Sequence, residues 1–292
     1  MKKVLITGGN GFLGSNIIKL LIKKKYKIFA TKRNKSNLIR LKNYSKNITF
    51  VDLNKLESYF YKNKFELVIH CATNYGTNQK KISEIVFTNL ILPLKIIELC
   101  EKYKTKVFIN TDTVLPKNIS SYTLSKFQFY DWMKKFSNKL ACINIKIEHF
   151  YGPKDNKTKF VIKNIIDLIK RKKIIKLTEG KQKRDFIYID DVITAFEKII
   201  DWSIKKEDGL HSFEIGLKKS TSIKNFMLLL KKLCKNNNTI LEFGKIPYRK
   251  GELMTSSVDN KSLLTLGWKP KNSLVEGLEK TIAYYLSNDA KL

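Results

Sequence analysis

The first fourteen residues, MKKVLITGGNGFLG (residues 1–14), decide the fold. A short apolar strand ends at Thr7, and glycines follow at Gly8, Gly11 and Gly14. In this arrangement the first glycine permits a tight turn, the second lets a pyrophosphate approach the backbone, and the third lets the next helix pack closely. The N-terminus of that helix suits the phosphates of a dinucleotide. The cofactor contacts predicted in this unit are Gly8, Gly11, Phe12, Leu13 and Gly14.

Apolar strand-like runs and helical patterns alternate through the first half of the chain, which predicts parallel βαβ units with right-handed crossovers. The predicted strands are 3–7, 26–31, 48–51, 66–71, 106–111 and 141–147. The predicted helices are 12–24, 80–103 and 121–138. A kink or break is expected where Pro93 interrupts the second helix.

The second half is less regular. Helices are predicted at 158–171, 190–203, 222–235 and 273–286, and strands at 212–215 and 239–243. We expect an α/β protein with a dinucleotide-binding domain over 1–152 and a smaller substrate-binding lobe over 153–184 and 217–292. The segment 185–216 is expected to return to the main domain, with strand 212–215 joining its sheet.

The bulk composition fits a globular protein, with 292 residues of which 43% are hydrophobic and 11% aromatic. No apolar run approaches the roughly 20 residues that a membrane span needs. Only Val4-Leu5-Ile6 follows the basic start, so neither a signal peptide nor membrane insertion is expected. The four cysteines are scattered singly, which predicts buried reduced thiols in a cytoplasmic protein and no metal site.

The formal net charge of +31 raises the question of a polyanionic partner. Arginine occurs only at positions 33, 40, 171, 184 and 249, so nearly all the basic charge is lysine, spread along the whole chain. Because base-edge readout relies on arginine forks, we predict no nucleic-acid partner and interpret the lysine excess as codon bias. The positive field would still help to attract an anionic nucleotide substrate.

The end of the second predicted strand bears on the choice of cofactor. Folds of this kind that prefer NAD usually carry an acid about 20 residues beyond the glycines. This chain has Lys32 and Arg33 there instead, which would bind a 2′-phosphate through charge-assisted hydrogen bonds. NADP(H) is therefore favoured over NAD(H). Asp52 and Leu53, after the third strand, are predicted to cap the adenine pocket.

A tyrosine and a lysine four residues apart, Tyr122 and Lys126, are expected on one face of a helix. A lysine cation beside a phenol favours the phenolate, so we expect a lowered pKa for Tyr122. Such a phenol can exchange a proton with a sugar or alcohol oxygen near neutral pH.

Together with the glycine pattern and this pair, three later motifs carry a resemblance to a known family. They are Phe150-Tyr151-Gly152-Pro153, the run from Arg184 to Val192 (RDFIYIDDV), and Leu266-Gly267-Trp268-Lys269-Pro270. The chain resembles the extended short-chain dehydrogenase/reductase family, which comprises the NAD(P)-dependent sugar-nucleotide epimerases and dehydratases. The match runs from residue 3 to about residue 286 and implies a Rossmann-type, doubly wound parallel sheet with a smaller C-terminal substrate-binding lobe.

The resemblance also implies site residues. Tyr122 would be the acid/base residue, Lys126 would bind the nicotinamide ribose, and Thr111 would hydrogen-bond the reacting oxygen. Ala72, Tyr122 and Lys126 complete the predicted cofactor contacts. Arg184 and Arg249 match family arginines that hold the substrate diphosphate, which suits their forked geometry. The remaining predicted substrate contacts are Tyr75, Asp112 and His149.

Two departures from the family pattern narrow the reaction. The dehydratases continue Thr-Asp-Glu, whereas this chain reads Thr111-Asp112-Thr113 and lacks the second carboxyl group. Where many relatives have asparagine before Tyr-Gly-Pro, this chain has Glu148-His149. These features are similar to the synthases of CDP-abequose and CDP-paratose, which reduce a 4-keto group of a CDP-linked dideoxysugar.

The preferred interpretation is therefore NADPH-dependent reduction of the 4-keto group of a nucleotide-linked deoxysugar, with CDP as the expected nucleotide, in surface-polysaccharide biosynthesis. A 4-epimerase with tightly held NAD is the first alternative. A non-catalytic dinucleotide- or polyanion-binding protein is the second. Relatives commonly dimerise through a four-helix contact that includes the helix of Tyr122, so a homodimer is expected, with Trp132 and Phe136 as candidate contacts.

Overall fold

The computed structural model describes residues 1–33, 37–76, 81–249 and 251–287. These residues form two compact units. The first comprises Met1–Ile147, Ile193–Glu214 and Ser262–Trp268, and the second comprises Glu148–Val192, Ile215–Lys261 and Lys269–Leu292, of which 250 and 288–292 lie outside the described residues. The segment expected to return to the first domain was 185–216, whereas the first unit of the structure contains 193–214. The first unit also contains 262–268.

Seven parallel strands form the central sheet of the described chain, in the order β10-β6-β5-β4-β1-β2-β3. Its strands are β1 (Lys3–Thr7), β2 (Lys27–Lys32), β3 (Ile48–Asp52), β4 (Leu67–His70), β5 (Val107–Thr113), β6 (Ala141–Ile147) and β10 (Leu210–Ile215). The predicted strands and the return of 212–215 to this sheet are confirmed. The fold is the predicted Rossmann-type α/β fold, because the strand order reverses between β1 and β4.

Helices flank this sheet. They are α1 (Phe12–Lys23), α2 (Leu56–Lys62), α3 (Ile82–Val86), α4 (Leu92–Lys102) and α5 (Ser121–Phe136). Short 3-10 segments lie at Ile39–Asn47, Leu53–Lys55 and Lys117–Ile119. One apolar cluster packs strands against helices, joining residues such as Leu5, Val68 and Phe108 to Ile96 and Phe129. Burial of such side chains supplies most of the stabilisation of the unit.

The predicted helix 80–103, whose first residue lies outside the described residues, breaks as expected. A π-helical turn over Phe87–Ile91 separates α3 from α4, and Pro93 lies in the first turn of α4. Proline has no N–H to donate to the carbonyl four residues earlier, and its ring crowds that carbonyl. The break therefore falls at Asn89, which turns out to be buried.

The second unit contains the remaining strands and most of the remaining helices. Its strands are β7 (His149–Tyr151), β8 (Ile174–Lys176), β9 (Lys183–Tyr188), β11 (Ser220–Ser222) and β12 (Ile240–Glu242). The later helices of the chain are α6 (Phe160–Ile169), α7 (Ile189–Ser203), α8 (Ile223–Leu233), α9 (Lys261–Leu264) and α10 (Leu274–Ser287). Strand β9 lies between β11 and β7, and β8 pairs with β12. Strands β7, β8, β9 and β11 were missed because three of them are only three residues long, too short for a periodic signal.

Candidate active site

Helix α5 presents the Tyr122–Lys126 pair. A reciprocal capping box starts this helix: Ser120 Oγ accepts from the Thr123 backbone N–H at 3.2 Å, and Thr123 Oγ1 accepts from the Ser120 backbone N–H at 3.0 Å. Because the cap fixes the first turn, it also fixes the position of Tyr122 within that turn. Lys126 follows one turn later, as the spacing predicts.

The Lys126 ammonium group is buried inside the first unit, with only 1% of the residue exposed. Its Nζ donates to the backbone carbonyl of Thr111 at 2.8 Å. Burial lowers the pKa of Lys126 to about 8, although the charges of Asp112 and Cys71 oppose this shift. A large, nearly fully buried cation of this kind is costly to fold and is typical of functional sites.

The expected lowering of the Tyr122 pKa is wrong for this structure. Burial of the phenol raises its pKa well above the usual value, and the neighbouring Tyr75 and Asp112 raise it further. A hydrogen bond with the side chain of Thr113 acts in the opposite direction. The phenol is therefore protonated at neutral pH, because desolvation and two neighbouring groups of like charge disfavour the phenolate.

Strand β5 brings two threonines to the site. The Thr111 hydroxyl donates to the His70 carbonyl at 2.9 Å, which ties the ends of β5 and β4 together. Thr113 lies two residues further along, and its side chain hydrogen-bonds Tyr122. Thr113 was missed as a site residue. The alternation of side chains along a strand could have found it, since residues i and i+2 share a face.

Asp112, between these two threonines, is held by a backbone N–H and by buried amides. Its carboxylate accepts from the Thr113 N–H at 2.8 Å and from Asn144 Nδ2 at 2.9 Å. Asn144 in turn accepts from Asn110 Nδ2 at 2.8 Å, and the two asparagines are direct partners in the β5–β6 register. Both amides are fully buried. This chain of hydrogen bonds fixes the carboxylate near the phenol and the ammonium group.

Tyr75 lies beside Tyr122, with ring centroids 5.0 Å apart and planes at 44°. Asn89 holds the loop that carries it: the Asn89 side chain accepts from the Asn74 N–H, donates to the Asn74 carbonyl, and donates to Ser125 Oγ at 3.1 Å. Asn89 therefore links this loop to α5. Asn89 could have been identified from the sequence, because it is a polar residue four positions before a proline in an apolar helix.

The glycine turn after β1 has the shape expected for a phosphate cradle. Gly8 has φ +64°, and an added Cβ would lie 2.6 Å from the backbone nitrogen of Ala72. At Gly14 an added Cβ would collide with the Gly8 carbonyl. Helix α1 starts at Gly11 with no side-chain cap, which leaves its positive end open for an anion. The cradle thus fits a dinucleotide at the switch point between β1 and β4, where Ala72 also lies.

The residues predicted to select the cofactor lie at the ends of β2 and β3. Lys32 and Arg33 are exposed, and Lys32 is paired in register with Asp52. The Asp52 side chain accepts from the Asn54 N–H at 2.9 Å and so caps the 3-10 turn that begins at Leu53. Two basic groups and one acid therefore lie at this sheet edge.

The other predicted substrate contacts belong to the second unit. Arg184 is buried in β9, where its guanidinium group pairs with Glu252 and donates to the Lys183 carbonyl. Arg249 is exposed and precedes Glu252 in a turn, since the Glu252 N–H donates to its carbonyl. His149 begins β7, and its Nδ1 lies 3.3 Å from the Glu148 carboxylate.

A family model described as the NAD dependent epimerase/dehydratase family matches residues 4–216. This chain belongs to that family. It is 32% identical over 292 residues to a CDP-abequose synthase from Salmonella muenchen, with 97% of both chains covered. The enzyme of the same name from Salmonella typhimurium strain LT2 is 30% identical over 296 residues, which is 96% of this chain and 97% of that one.

Among solved structures, a UDP-glucose 4-epimerase from Thermotoga maritima with UDP-glucose matches with a TM-score of 0.86 at 24% identity. The match covers 98% of this chain and 99% of that chain, and it confirms the fold. Membership of the epimerase/dehydratase family confirms an NAD(P)-dependent oxidoreductase of the short-chain dehydrogenase/reductase type. The non-catalytic alternative is thereby set aside.

No group of three or more histidine, cysteine, aspartate or glutamate side chains in the described residues could hold a metal ion. None of the helices within 1–33, 37–76, 81–249 and 251–287 is long and apolar enough to cross a bilayer.

Proposed function

We propose that this enzyme reduces the 4-keto group of a CDP-linked deoxysugar with NADPH, as a step in surface-polysaccharide biosynthesis. The observation that carries the proposal is the similarity to two CDP-abequose synthases over nearly the whole of each chain. The departures from the dehydratase pattern agree with it. Thr113 occupies the position of the second acid, and the chain therefore has no carboxylate there for the removal of water.

The bound cofactor would supply the hydride. Tyr122 would donate its proton to the keto oxygen, since its raised pKa keeps the phenol protonated at neutral pH. Thr111 and Thr113 would orient this oxygen and the phenol. Lys126 would contact the nicotinamide ribose and supply positive charge as negative charge develops on the oxygen.

NADPH is proposed over NADH on the charges at the end of β2. Lys32 and Arg33 are exposed there, and a 2′-phosphate would find two donors. In the second unit we propose Arg184 and Arg249 as contacts of the substrate diphosphate. Arg184 would exchange its carboxylate partner Glu252 for a phosphoryl group, while the exposed Arg249 needs no such exchange.

The decisive experiment incubates the purified enzyme with NADPH and CDP-4-keto-3,6-dideoxyglucose and follows the loss of NADPH absorbance. Reduction of this substrate, with NADH much less effective, is the expected result. The alternative is a 4-epimerase, a function that the family includes. In that case the enzyme would purify with bound NAD and interconvert CDP-hexoses without consuming NADPH, and the reductase proposal would be wrong.

We further propose a cytoplasmic homodimer. On α5, Trp132 is half exposed at the helix surface, whereas Phe136 packs against the core of its own unit. Trp132, with Leu124 and Phe127 also exposed on α5, is therefore the better candidate for a helix-mediated contact. Light scattering should give a dimer for the wild type and a monomer for Trp132→Asp; a wild-type monomer would contradict the proposal.

A further inference from the structure

One pair of neighbouring residues in the second unit includes a predicted substrate contact, His149, whose chemical role is still unassigned. Glu148 and His149 lie at the start of β7, and they differ sharply in exposure: the Glu148 side chain is 1% exposed and the His149 side chain 40%. A glutamate is seldom buried to this extent without a partner. The pair therefore needs a physical explanation.

The contact between them has a defined geometry. His149 Nδ1 lies 3.3 Å from Glu148 Oε2. The imidazole packs edge-on against the Phe186 ring, with centroids 5.9 Å apart and planes at 67°. The Glu148 backbone is anchored because its N–H donates to the Ile215 carbonyl at 3.0 Å. The Glu148 carboxylate and the His149 ring are therefore both held in place. Because Nδ1 faces Glu148, Nε2 is the ring nitrogen that can contact a ligand.

The charge on Glu148 has few other partners. Its second oxygen, Oε1, is buried and has no hydrogen-bond partner among the described residues. The adjacent strand offers another acid, because Asp185 immediately precedes the Phe186 that pairs with His149. Burial raises the pKa of Asp185 to about 6, and the charge of Glu148 adds to this shift. Within this cluster, the imidazole is the group that can donate to Glu148.

We propose that the buried Glu148 carboxylate positions His149 by accepting its Nδ1 proton, so that Nε2 is presented to an oxygen of a bound sugar nucleotide. The hydrogen bond at one ring nitrogen sets the protonation of the other. In the neutral ring Nε2 is then an acceptor for a hydroxyl group, and in the protonated ring it is a donor to a phosphoryl or hydroxyl oxygen. Glu148 is a positioning residue here, and the ligand contact is made by His149.

The tautomer is testable without substrate or cofactor, because the chain contains only three histidines. Nitrogen-15 spectra of histidine-labelled enzyme should show His149 with its proton on Nδ1 and a bare Nε2 at a pH where the ring is neutral. The variant Glu148→Met replaces the carboxylate by an apolar side chain of similar length. In that variant His149 should lose the preference for the Nδ1 proton.

Two controls accompany this measurement. The exposed variant Glu179→Met should leave the His149 signals unchanged, since Glu179 pairs with Lys181. His211, whose Nε2 lies 3.3 Å from the Asp208 carbonyl, should be unaffected by either substitution. A wild-type spectrum with the His149 proton on Nε2 would overturn the positioning role even if Glu148→Met failed to fold. An unchanged tautomer in a folded Glu148→Met enzyme would do the same.

The ligand contact rests on the proposed function and has its own test. CDP-glucose should shift the His149 Nε2 resonance, and CDP alone should do so only if the contact is to phosphate. Calorimetry on the same samples should show binding about tenfold weaker for Glu148→Met, the scale of one charged hydrogen bond. Binding without a shift at His149 would overturn the contact alone. No binding of either ligand would instead contradict the cytidine nucleotide of the proposed function.

Discussion

Two regions of this enzyme bury ionisable groups, and they do so differently. Around α5 the buried cation of Lys126 has a hydrogen-bond partner, the Thr111 carbonyl, and an acid nearby. Around β7 and β9 there are two carboxylates, Glu148 immediately before β7 and Asp185 on the neighbouring β9, and each has one buried oxygen without a partner among the described residues. In the first region, as far as the chain is described, the charged group itself has a partner, and the buried atoms without one are the neutral Asn110 Oδ1 and His70 Nε2. In the second region the atoms without a partner among the same residues belong to the carboxylates themselves.

The difference indicates that the two regions respond differently to substitution. The buried groups of the first region surround the Tyr122 phenol, so substitutions there should affect the reaction, and loss of the desolvated Lys126 cation should also change stability. Unsatisfied buried carboxylates cost stability, so their removal should affect the fold first. Substitutions in the two regions test this contrast.

Tyr122→Phe should lower the rate of the proposed reduction by about a thousandfold, because loss of a positioned acid typically costs this much. Affinity for the dinucleotide should stay within a few-fold, since the ring and the helix remain. Steady-state rates and cofactor titration measure the two effects. Tyr130→Phe, on the same helix, is the matched control. Full activity in Tyr122→Phe would place the chemistry elsewhere.

Lys126→Met should abolish the proposed activity and yet stabilise the protein at neutral pH. The folded-state pKa of Lys126 is lowered from 10.5 to about 8, so the wild type is destabilised below pH 8 and recovers as the pH rises towards 10.5. The shift corresponds to roughly 3 kcal/mol. Urea unfolding at pH 7 and pH 10 should show the advantage of the variant shrinking with pH.

The exposed Lys134→Met is the control for that comparison, because an ion pair with Asp131 raises the pKa of Lys134. It should show no such advantage at either pH. A Lys126→Met protein that is less stable than the wild type at pH 7 would mean that the lost hydrogen bond outweighs the desolvation of the cation.

Asp185→Asn tests the second region. The folded-state pKa of Asp185 is raised from 3.8 to about 6, so its contribution to stability is present below pH 3.8 and is lost as the pH rises through 6. Relative to that of Asp185→Asn, the free energy of unfolding of the wild type should fall by up to about 3 kcal/mol between pH 4 and pH 7. Unfolding curves at both pH values measure this difference. A difference in stability that does not change with pH would show that folding does not raise the pKa of Asp185.

Replacing Lys32 by Asp and Arg33 by Ser should weaken the binding of NADPH by about tenfold or more and leave the binding of NADH nearly unchanged. The reason is the loss of two charge-assisted hydrogen bonds to the 2′-phosphate. Fluorescence titration with both cofactors measures the preference. Lys62→Asp with Lys64→Ser removes the same charge elsewhere in the first unit and controls for the general field. An unaltered preference would contradict the assignment of NADPH.

Much of the first region was predictable from sequence, because its main residues are related by short spacings along the chain. Gly8 and Gly14 are required by a positive φ and a close approach, and Tyr122 and Lys126 share a helix face by their spacing. The supporting residues were not predictable in this way. Asn89 reaches Ser125 from a π-helical turn, and Asn144 reaches Asp112 from the neighbouring strand, and both contacts join residues that are more than 30 positions apart in sequence. Thr113 is the exception, because the alternation of side chains along β5 indicates its face.

Local sequence patterns were enough to predict the seven strands of the central sheet, the glycine turn, the break at Pro93 and the family. These follow from hydrophobic period and backbone sterics, which act over a few neighbouring residues. Only the tertiary structure decided the electrostatics: that Tyr122 has a raised pKa, that Arg184 pairs with Glu252, and that Glu148 is buried behind His149. Desolvation and charge pairing depend on what surrounds a group in space, and spacing along the chain does not record it.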